Sequence, residues 1–409
     1  MNIVLEPGAA ALLDELHRAG FGAYAVGGCV RDSLLGLAPH DWDLCTAARP
    51  GQVMELFGED RCIPTGLQHG TVTVKRDGKL YEITTFRTEG RYSDGRHPDS
   101  VAFVPDLRED LARRDFTINA MAYSAEEGLC DPFGGREDLA RGVVRAVGEP
   151  LRRFGEDALR ILRLYRFAAR FGFAIDEATE AAAKQLASHL DCVSAERIEE
   201  ELNKLLAAPQ PGAYLEPEVL AFVLPELPPE ELTKARRRID ALPAGTEQVS
   251  ARWAALLLPL GETGARKALK RLKCSNVRID GAAALVHECG EKTPDTLDKC
   301  DLRLQAKRLL GKYDLHTVRR LTALWTALAP EEKASFDALR AEAEALTAQG
   351  VCCRISQLAV NGRDLMAAGA APGPGLRRVL EALLEEVITG RLPNEKTELL
   401  AFAAGFSAS

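Results

Sequence analysis

Hydrophobic and polar positions follow two different periods in the first third of the chain. Apolar residues recur at helical spacing over residues 6–19, and a shorter helical pattern covers about 30–35. A short apolar run at 22–26 and an alternating stretch at 41–45 have the pattern of strands. This region is therefore predicted to mix strands with helices.

A β-hairpin is predicted slightly further along. Residues 71–75 and 80–86 alternate β-branched with polar side chains on either side of the turn-like stretch 76–79, which contains Asp77-Gly78. Residues 87–110 are polar and rich in Gly, Pro and charge, which predicts a mobile loop. A last β-like piece at 142–147 closes the region.

From residue 151 onward the pattern is helical almost to the end. Pro and Gly clusters at 208–212, 224–229 and 371–375 interrupt it and are typical of helix breaks or domain joints. The fold class is predicted to be α+β, with an N-terminal mixed β-sheet head followed by an all-helical neck, body and tail. We expect these domains at 1–148, 149–210, 211–325 and 326–409.

Composition and charge narrow the class of protein. No apolar run approaches the ~20 residues of a membrane span, and no basic, apolar leader opens the chain. The 10 Cys include no C-x-x-C pair, so we interpret them as buried or free thiols of a cytoplasmic protein. The net charge of −8 leaves a nucleic-acid enzyme possible, because local patches set the contacts.

The pattern Asp41-Trp42-Asp43 is the first candidate for chemistry. On a strand, residues two apart share a face, so both carboxylates would lie together and repel unless a cation separates them. Mg²⁺ prefers such oxygen ligands and bridges them to phosphates. Glu82, on the strand predicted at 80–86, would be a third carboxylate if the two strands are antiparallel neighbours. We therefore predict Asp41 and Asp43 as metal ligands, and Glu82 as a catalytic partner.

A glycine turn lies just before these acids. Gly27 and Gly28 follow an apolar strand pattern and precede a helical one. Glycine lets the backbone approach a phosphate closely, and the start of a helix supplies N–H groups. Arg31 can pair with phosphate oxygens, whereas Asp32 is interpreted as structural. Gly28 and Arg31 are therefore predicted to bind a nucleotide.

A charged helix, predicted from about 153 to 171, offers a way to choose bases. Asp157 and Arg160 are spaced to share one helix face, and Glu156 is placed to hold Arg160. Cytosine and adenine each present an amine donor beside a ring-nitrogen acceptor, whereas guanine and uracil reverse this order. A carboxylate accepts and a guanidinium donates, so Asp157 with Arg160 suits C and A.

The motifs as an ordered set resemble the class II tRNA nucleotidyltransferase and bacterial poly(A) polymerase family, especially its shorter bacterial CCA-adding members. The resemblance runs almost continuously from about 22 to 206 and is carried by GGCVRD at 27–32, DWDLCT at 41–46, YEITTFR at 81–87, RRDFTINA at 113–120, DPFGG at 131–135, EDALR at 156–160 and RLYRF at 163–167. A softer match covers 361–394.

This resemblance implies a nucleotidyltransferase-type head and an activity. The CCA-adding members of the family add C, C and A to the 3′ end of tRNA from CTP and ATP, without a template and with release of pyrophosphate. It implies that Arg114 meets the triphosphate or ribose and that Asp115 accepts from a ribose hydroxyl. It also places Arg163 and Arg166 near the nucleotide, Mg²⁺ as the cofactor and tRNA on the tail.

Three alternatives stay open from the sequence: a poly(A) polymerase, an enzyme that adds CC only, and a tRNA-binding protein without activity. Full CCA addition is preferred because CC-only relatives lack part of the segment 87–110, which here retains Arg87, Arg91, Tyr92, Asp94 and Arg96. The oligomeric state stays open, with a homodimer as one option. Clusters of Lys and Arg near 266–273 and 307–320 are candidates for contact with the RNA backbone.

Overall fold

A mixed β-sheet organises the N-terminal part of the chain. We describe a computed structural model, which covers residues 3–90, 101–291 and 301–406, so Arg91, Tyr92, Asp94 and Arg96 lie outside the described residues. The chain divides into two compact units, an N-terminal unit, Met1–Pro225, and a C-terminal unit, Glu226–Ser409. The predicted α+β class is confirmed, while the four-domain division stays a prediction.

The strands all belong to the N-terminal unit as far as the structure describes the chain. They are β1 (Ala23–Val26), β2 (Leu44–Thr46), β3 (Cys62–Gly66), β4 (Thr71–Arg76), β5 (Lys79–Thr85), β6 (Arg87–Glu89), β7 (Val101–Phe103), β8 (Ala122–Ser124), β9 (Gly128–Cys130), β10 (Val143–Val144) and β11 (Ala174–Ile175). Seven of them form one sheet in the order β3-β4-β5-β2-β1-β8-β9. Its pairs are antiparallel except β2 with β5.

Helices pack against this sheet in the N-terminal unit. Those of the N-terminal unit are α1 (Pro7–Arg18), α2 (Gly28–Leu34), α3 (Pro50–Phe57), α4 (Leu107–Ala112), α5 (Gly135–Arg141), α6 (Pro150–Glu156), α7 (Leu159–Phe171), α8 (Glu177–Gln185), α9 (Ala195–Leu206) and α10 (Pro217–Val223). Helix α1 packs on β1 and α3 packs on β4, while α7 packs against α9. Helices α7 and α9 both carry charged residues, among them Arg160 and Arg197.

The C-terminal unit consists of helices in the residues that the structure describes. They are α11 (Leu232–Asp240), α12 (Val249–Leu257), α13 (Gly261–Arg271), α14 (Asn276–Glu291), α15 (Leu302–Lys312), α16 (Leu315–Leu328), α17 (Lys333–Ala348), α18 (Gly362–Ala367), α19 (Pro374–Ile388) and α20 (Lys396–Phe406). Leu365, Leu383 and Leu399 from the last three helices meet in one small core. Over the described ranges, no helix combines the length and apolar character that crossing a bilayer requires.

One face of the sheet buries an apolar core. Tyr24 of β1 lies opposite Cys45 of β2, and cross-strand partners share a face. Both belong to a cluster that includes Leu107 and Leu111 of α4. The hairpin predicted around 76–79 is confirmed: β4 and β5 pair antiparallel, and Asp77 and Gly78 both have positive φ, 49° and 76°, as a tight hairpin turn requires.

The structure corrects three predicted elements. Strand β2 begins at Leu44, so the stretch 41–43 lies before it and not on it. The stretch 87–110, predicted as a loop, carries β6 and β7, which pair with each other, followed by α4. The piece at 142–147 contributes only β10, which pairs with β11 and not with the main sheet. Strands of two or three residues are fixed by their partners, which local sequence does not reveal.

Glu6 links the first helix to strand β5 of the sheet. Its carboxylate accepts from the backbone N–H of Ala9 at the start of α1, from the Tyr81 hydroxyl on β5 and from Lys79 Nζ. Burial alone would raise the pKa of Glu6, but the hydrogen bonds from Tyr81 and Lys79 lower it to about 2. The charged carboxylate is therefore stabilised by folding.

Replacing Glu6 with Gln is expected to lower the free energy of unfolding at pH 7 by about 1–2 kcal/mol, because a helix cap and two charge-assisted bonds weaken together. A lowered pKa stabilises the fold above the ordinary value of 4.5, and this stabilisation is lost as the pH falls towards about 2. Urea unfolding of both proteins at pH 7 and pH 3 should show the difference shrinking. The exposed Glu59→Gln is the control, and an equal difference at both pH values would contradict the assignment.

Candidate active site

A charged cavity of about 450 Å³ lies within the N-terminal unit. Arginines and carboxylates dominate its wall. It is lined by Gly27, Gly28, Arg31, Asp43, Arg113, Arg114, Asp115, Asn119, Asp157, Leu159, Arg160, Arg163, Arg166, Phe167, Arg170 and Arg197. Every nucleotide-binding residue predicted from the sequence is in this set. Of the three predicted catalytic carboxylates, Asp43 lines the cavity and Asp41 and Glu82 do not.

Glu82 nevertheless lies beside Asp43, by a route that differs from the prediction. Strands β2 and β5 are parallel, with Leu44 opposite Ile83, whereas the sequence interpretation required antiparallel neighbours. Extending this register by one residue sets Asp43 next to Glu82. The backbone of Asp43 still continues the sheet, because its carbonyl oxygen accepts from the N–H of Val26 at 3.0 Å.

The electrostatics of Asp43 show that acids gather at this end of the sheet. Asp43 is exposed as a residue, but protein atoms around its carboxyl group raise its pKa, first through burial and then through the charges of Glu82 and Asp41. The nearby charge of Arg114 opposes this shift. The charge of Asp43 is thus repelled by two further carboxylates, and a divalent cation would relieve that repulsion.

The carboxylates do not form a closed metal site on their own. The side chain of Asp41 is 86% exposed and contacts His40 Nδ1 at 3.3 Å. No group of three metal-binding side chains converges anywhere in the described ranges. This arrangement fits Mg²⁺ better than a structural metal, since Mg²⁺ is commonly bound by one or two carboxylates and completed by water and substrate phosphates. The donor set is therefore compatible with the predicted cofactor.

The glycine turn adjoins Arg114. Gly27 has φ 77° and ψ −120°, a conformation that residues with a side chain rarely adopt. A Cβ atom at Gly27 would lie 2.9 Å from Arg114 Nη1, whereas one at Gly28 would lie 3.7 Å from Arg31 Nη2, its nearest neighbour. The first glycine is therefore required by the protein itself, while the second leaves open space facing the cavity.

Gly27→Ala and Gly28→Ala are expected to separate these two roles. Gly27→Ala should cost about 1–3 kcal/mol of stability through backbone strain, and it should displace Arg114. Gly28→Ala should leave the melting temperature unchanged and raise KM for the nucleotide, because only a phosphate approaching the turn would meet the new methyl group. Thermal melts and steady-state kinetics measure both effects. An unchanged KM in Gly28→Ala would show that no phosphate approaches this turn.

The prediction of one continuous helix from about 153 to 171 is wrong. Helix α6 ends at Glu156 and α7 begins at Leu159, with Asp157 extended between them at φ −143° and ψ 106°. Asp157 Oδ1 accepts from the N–H of Leu159, which favours the break. Asp157 and Arg160 therefore do not share a helix face, although both line the cavity.

Asp157 and Arg160 are each held by hydrogen bonds to other protein groups. Asp157 Oδ2 accepts from Arg197 of α9 at 2.8 Å. Arg160 donates to Glu156 at 2.8 Å, as the sequence predicted, and to the carbonyl oxygens of Arg153 and Arg113. Sequence reasoning missed Arg197. The available signal was that Arg197 and Glu201, four residues apart, share one face of a strongly amphipathic helix. This spacing indicates charged residues at a buried face, but it does not identify their partners.

The predicted nucleotide ligands Arg31 and Asp115 are both occupied by protein groups. Arg31 is 3% exposed and donates to Asp32 and Asn119. Burial alone would raise the pKa of Asp115, but the charge of Arg163 and the hydrogen bonds from Asn119 and Arg163 hold it well below its usual range. The four acceptor positions of Asp115 receive Arg163 twice, Asn119 and a backbone N–H.

The basic clusters expected to meet RNA are largely paired in the C-terminal unit. Arg266 contacts Glu262 and Asp280, and Arg271 contacts Glu226. Similar ion pairs hold Arg308, Lys312 and Arg319. Their contact with RNA stays a prediction. The cysteines that the structure describes are all free, as expected for thiols.

The fold and the cavity together define a nucleotidyltransferase: acids beside the inner strands β2 and β5 of a mixed sheet adjoin a glycine turn and an arginine-rich wall. Residues 23–145 match the family described as Poly A polymerase head domain. Residues 172–228 match the probable RNA and SrmB-binding site of polymerase A, and 245–403 match tRNA nucleotidyltransferase domain 2.

The chain belongs to the CCA-adding enzyme family, because it is similar to its members over nearly the whole length. It is 38% identical to the CCA-adding enzyme of Limosilactobacillus fermentum, over 96% of this chain and 95% of that one. It is 37% identical to the CCA-adding enzyme of Geobacillus stearothermophilus, over 96% and 95%. The crystal structure of the Bacillus stearothermophilus CCA-adding enzyme in complex with CTP is 33% identical and superposes with a TM-score of 0.81, over 99% of this chain and 98% of that one.

Proposed function

We propose that the protein adds C, C and A in turn to the 3′ end of tRNA, using CTP and ATP and releasing pyrophosphate. The observation that carries this proposal is one cavity that holds both halves of the chemistry. Asp43 lies at one part of its wall, and Asp157 with Arg160 at another. A site that joins an acid for phosphoryl transfer to a base-reading pair needs no nucleic-acid template.

The reaction is an attack of the tRNA 3′-hydroxyl oxygen on the α-phosphorus of the nucleotide. A new phosphodiester bond forms, the bond to the β-phosphate breaks and pyrophosphate leaves. Asp41 and Asp43 would hold Mg²⁺, with Glu82 beside them. When bound, Mg²⁺ lowers the proton affinity of the hydroxyl and neutralises charge on the phosphates. The family implies a divalent metal, and Mg²⁺ is our proposal for its identity.

The arginines of the cavity wall neutralise and orient the triphosphate. Arg114 adjoins the glycine turn and contacts the Asp110 carboxylate at 3.4 Å. Arg163 and Arg166 lie on successive turns of α7, and Asp115 holds Arg163 in place. Catalysis then depends mainly on positioning and on fixed charges, so no side-chain nucleophile is required.

Base selection would use Asp157 as acceptor and Arg160 as donor. Cytosine and adenine both offer an amine to a carboxylate and a ring nitrogen to a guanidinium. Because Arg197 and Glu156 hold the two side chains, they would meet the base in a fixed arrangement. Guanine and uracil would leave the base-pairing groups mismatched, with an acceptor facing an acceptor and a donor facing a donor. Such mismatches are costly in a site built on hydrogen bonds.

The substrates and the place of action follow from the same proposal. We assign tRNA contact to the helical remainder, with the tail at 326–409 as the candidate, and the cytoplasm as the compartment. The C-terminal unit keeps Lys267 and Lys270 on α13 as candidate phosphate contacts.

The test is the sequence of the 3′ end that the purified protein makes. It is incubated with Mg²⁺, CTP and ATP on tRNA that ends at the discriminator base, at C or at CC. We expect CCA from all three substrates. A product that stops at CC would indicate a CC-only enzyme, and A tails made without CTP would indicate a poly(A) polymerase. Retention of tRNA without incorporation would indicate a binding protein.

A further inference from the structure

Two phenylalanines of α7 lie among the arginines of the cavity. Phe167 is buried and Phe171 is half-buried, one helical turn later. Their rings are parallel within 3°, with centroids 6.3 Å apart. Phe167 itself lines the cavity. The face of an aromatic ring carries partial negative charge, so a ring in such a wall can attract the neighbouring guanidinium groups.

Four guanidinium groups lie over the faces of these two rings. Arg31 lies over both, with its Cζ 5.2 Å from the centre of Phe167 and 4.9 Å from that of Phe171. Arg166 and Arg163 lie over Phe167 at 3.9 and 5.6 Å. Arg170 lies over Phe171 at 4.9 Å. All four arginines also line the cavity.

The same four arginines each contact a carboxylate as well. Asp32 contacts both Arg31 and Arg170, so one acid serves two cations. The other two pairs are Asp115 with Arg163 and Glu201 with Arg166. The Arg166 contact joins Nε to Glu201 Oε2 at 2.5 Å. Three carboxylates thus face four cations, and positive charge is left over towards the cavity.

Repulsion within this group is visible in its electrostatics. Burial lowers the pKa of Arg31. The charge of Asp32 raises it, whereas the charge of Arg170 lowers it further. Burial likewise lowers the pKa of Arg166, and Arg163 adds to the effect. A compact array of like charges would therefore spread apart unless something held each member. Ring faces attract guanidinium groups, and the attraction grows when water is excluded.

We propose that Phe167 and Phe171 are positioning residues for the nucleotide triphosphate: their ring faces hold Arg31, Arg163, Arg166 and Arg170 together as one anion-binding wall. This rests on the proposed function, because the anion is the triphosphate of CTP or ATP. A ring holds a guanidinium without using its N–H groups, so the rings take up none of the donors that remain on these arginines beside their bonds to Asp32, Asn119 and Asp115. A carboxylate in the same place would cancel the charge that the triphosphate needs.

The test compares Phe167→Leu, Phe171→Leu and Phe167→Tyr with the unchanged protein. Leucine keeps an apolar side chain but removes the ring face, whereas tyrosine keeps the face. We expect Phe167→Leu to raise the Kd for CTP and for ATP by about tenfold, with kcat within about twofold. Phe171→Leu should raise both Kd values less, because its ring carries two guanidinium groups and not three. Phe167→Tyr should restore nucleotide affinity.

Phe57→Leu in the head is the matched control. Phe57 is buried, as Phe167 is, and no guanidinium lies over its ring in the part of the chain that the structure describes. Phe57→Leu therefore removes a buried ring without removing a contact between a ring and an arginine. Unchanged Kd values in folded Phe167→Leu would overturn the proposal, and so would a Phe167→Tyr that binds as weakly as Phe167→Leu. Calorimetric binding of CTP without tRNA keeps this result separate from the proposed function, which fails only if the unchanged protein does not extend tRNA.

Discussion

Replacing Asp43 with Asn is expected to slow nucleotide incorporation by about 10³-fold, roughly 4 kcal/mol in the activation barrier. Asp43 is the acid that both lines the cavity and neighbours two further carboxylates. Asn keeps the shape but loses the charge that holds a divalent cation. Single-turnover incorporation of CMP into tRNA measures the effect without interference from product release.

The same change should not weaken the fold. A raised pKa in the folded protein means that the charged carboxylate costs stability once the pH exceeds its ordinary value, and this cost persists at pH 7. Removing the charge relieves repulsion from Glu82 and Asp41. The melting temperature of Asp43→Asn is therefore expected to equal or exceed that of the unchanged protein, while activity collapses.

Asp41→Asn, Glu82→Gln and Asp60→Asn complete this set. Asp41→Asn should lose activity to a similar degree, Glu82→Gln should lose less if it only supports the pair, and the exposed Asp60→Asn should change nothing. Normal incorporation by Asp43→Asn would remove the basis for the metal assignment. A large loss of melting temperature would instead attribute the effect to structure.

Replacing Asp157 with Asn is expected to lower incorporation of C and A by about 10²-fold and to make incorporation of U or G measurable. Hydrogen bonds to charged groups contribute about 1.5–3 kcal/mol each. Oδ1 of Asp157 accepts from the Leu159 N–H, so the amide oxygen of Asn is expected to stay there. The amide N–H₂ then takes the place of Oδ2 and presents donors where C and A also present a donor.

Asp176→Asn is the control for this prediction. Asp176 likewise accepts from a backbone N–H at a helix start and pairs with an arginine, Arg145, but it does not line the cavity. Competition between the four nucleotides, read from the 3′-end sequence, measures selectivity. If Asp157→Asn still excluded U and G completely, base selection would have to reside in other side chains.

Local patterns predicted the elements whose cause is local. The Asp77-Gly78 turn fixed the hairpin, because two adjacent positive φ angles need such residues. The acids and the glycine turn were predicted because a few side-chain types suffice for phosphate and metal chemistry, and their roles stay a prediction. Helix α7 was also expected, but not the break before it at Asp157, whose extended backbone depends on a cap and on Arg197 from another helix.

The sequence by itself determined the fold class and the family, and it predicted most of the charged residues that line the cavity, but not Arg170 or Arg197. Only the tertiary structure decided how those charges are used. The parallel pairing of β2 with β5 brings Glu82 to Asp43, and the packing of α7 against α9 supplies Arg197. Such contacts join residues far apart in the chain, so no local period encodes them. Whether an arginine faces a phosphate, an acid or a ring is therefore settled by its neighbours in space and not along the chain.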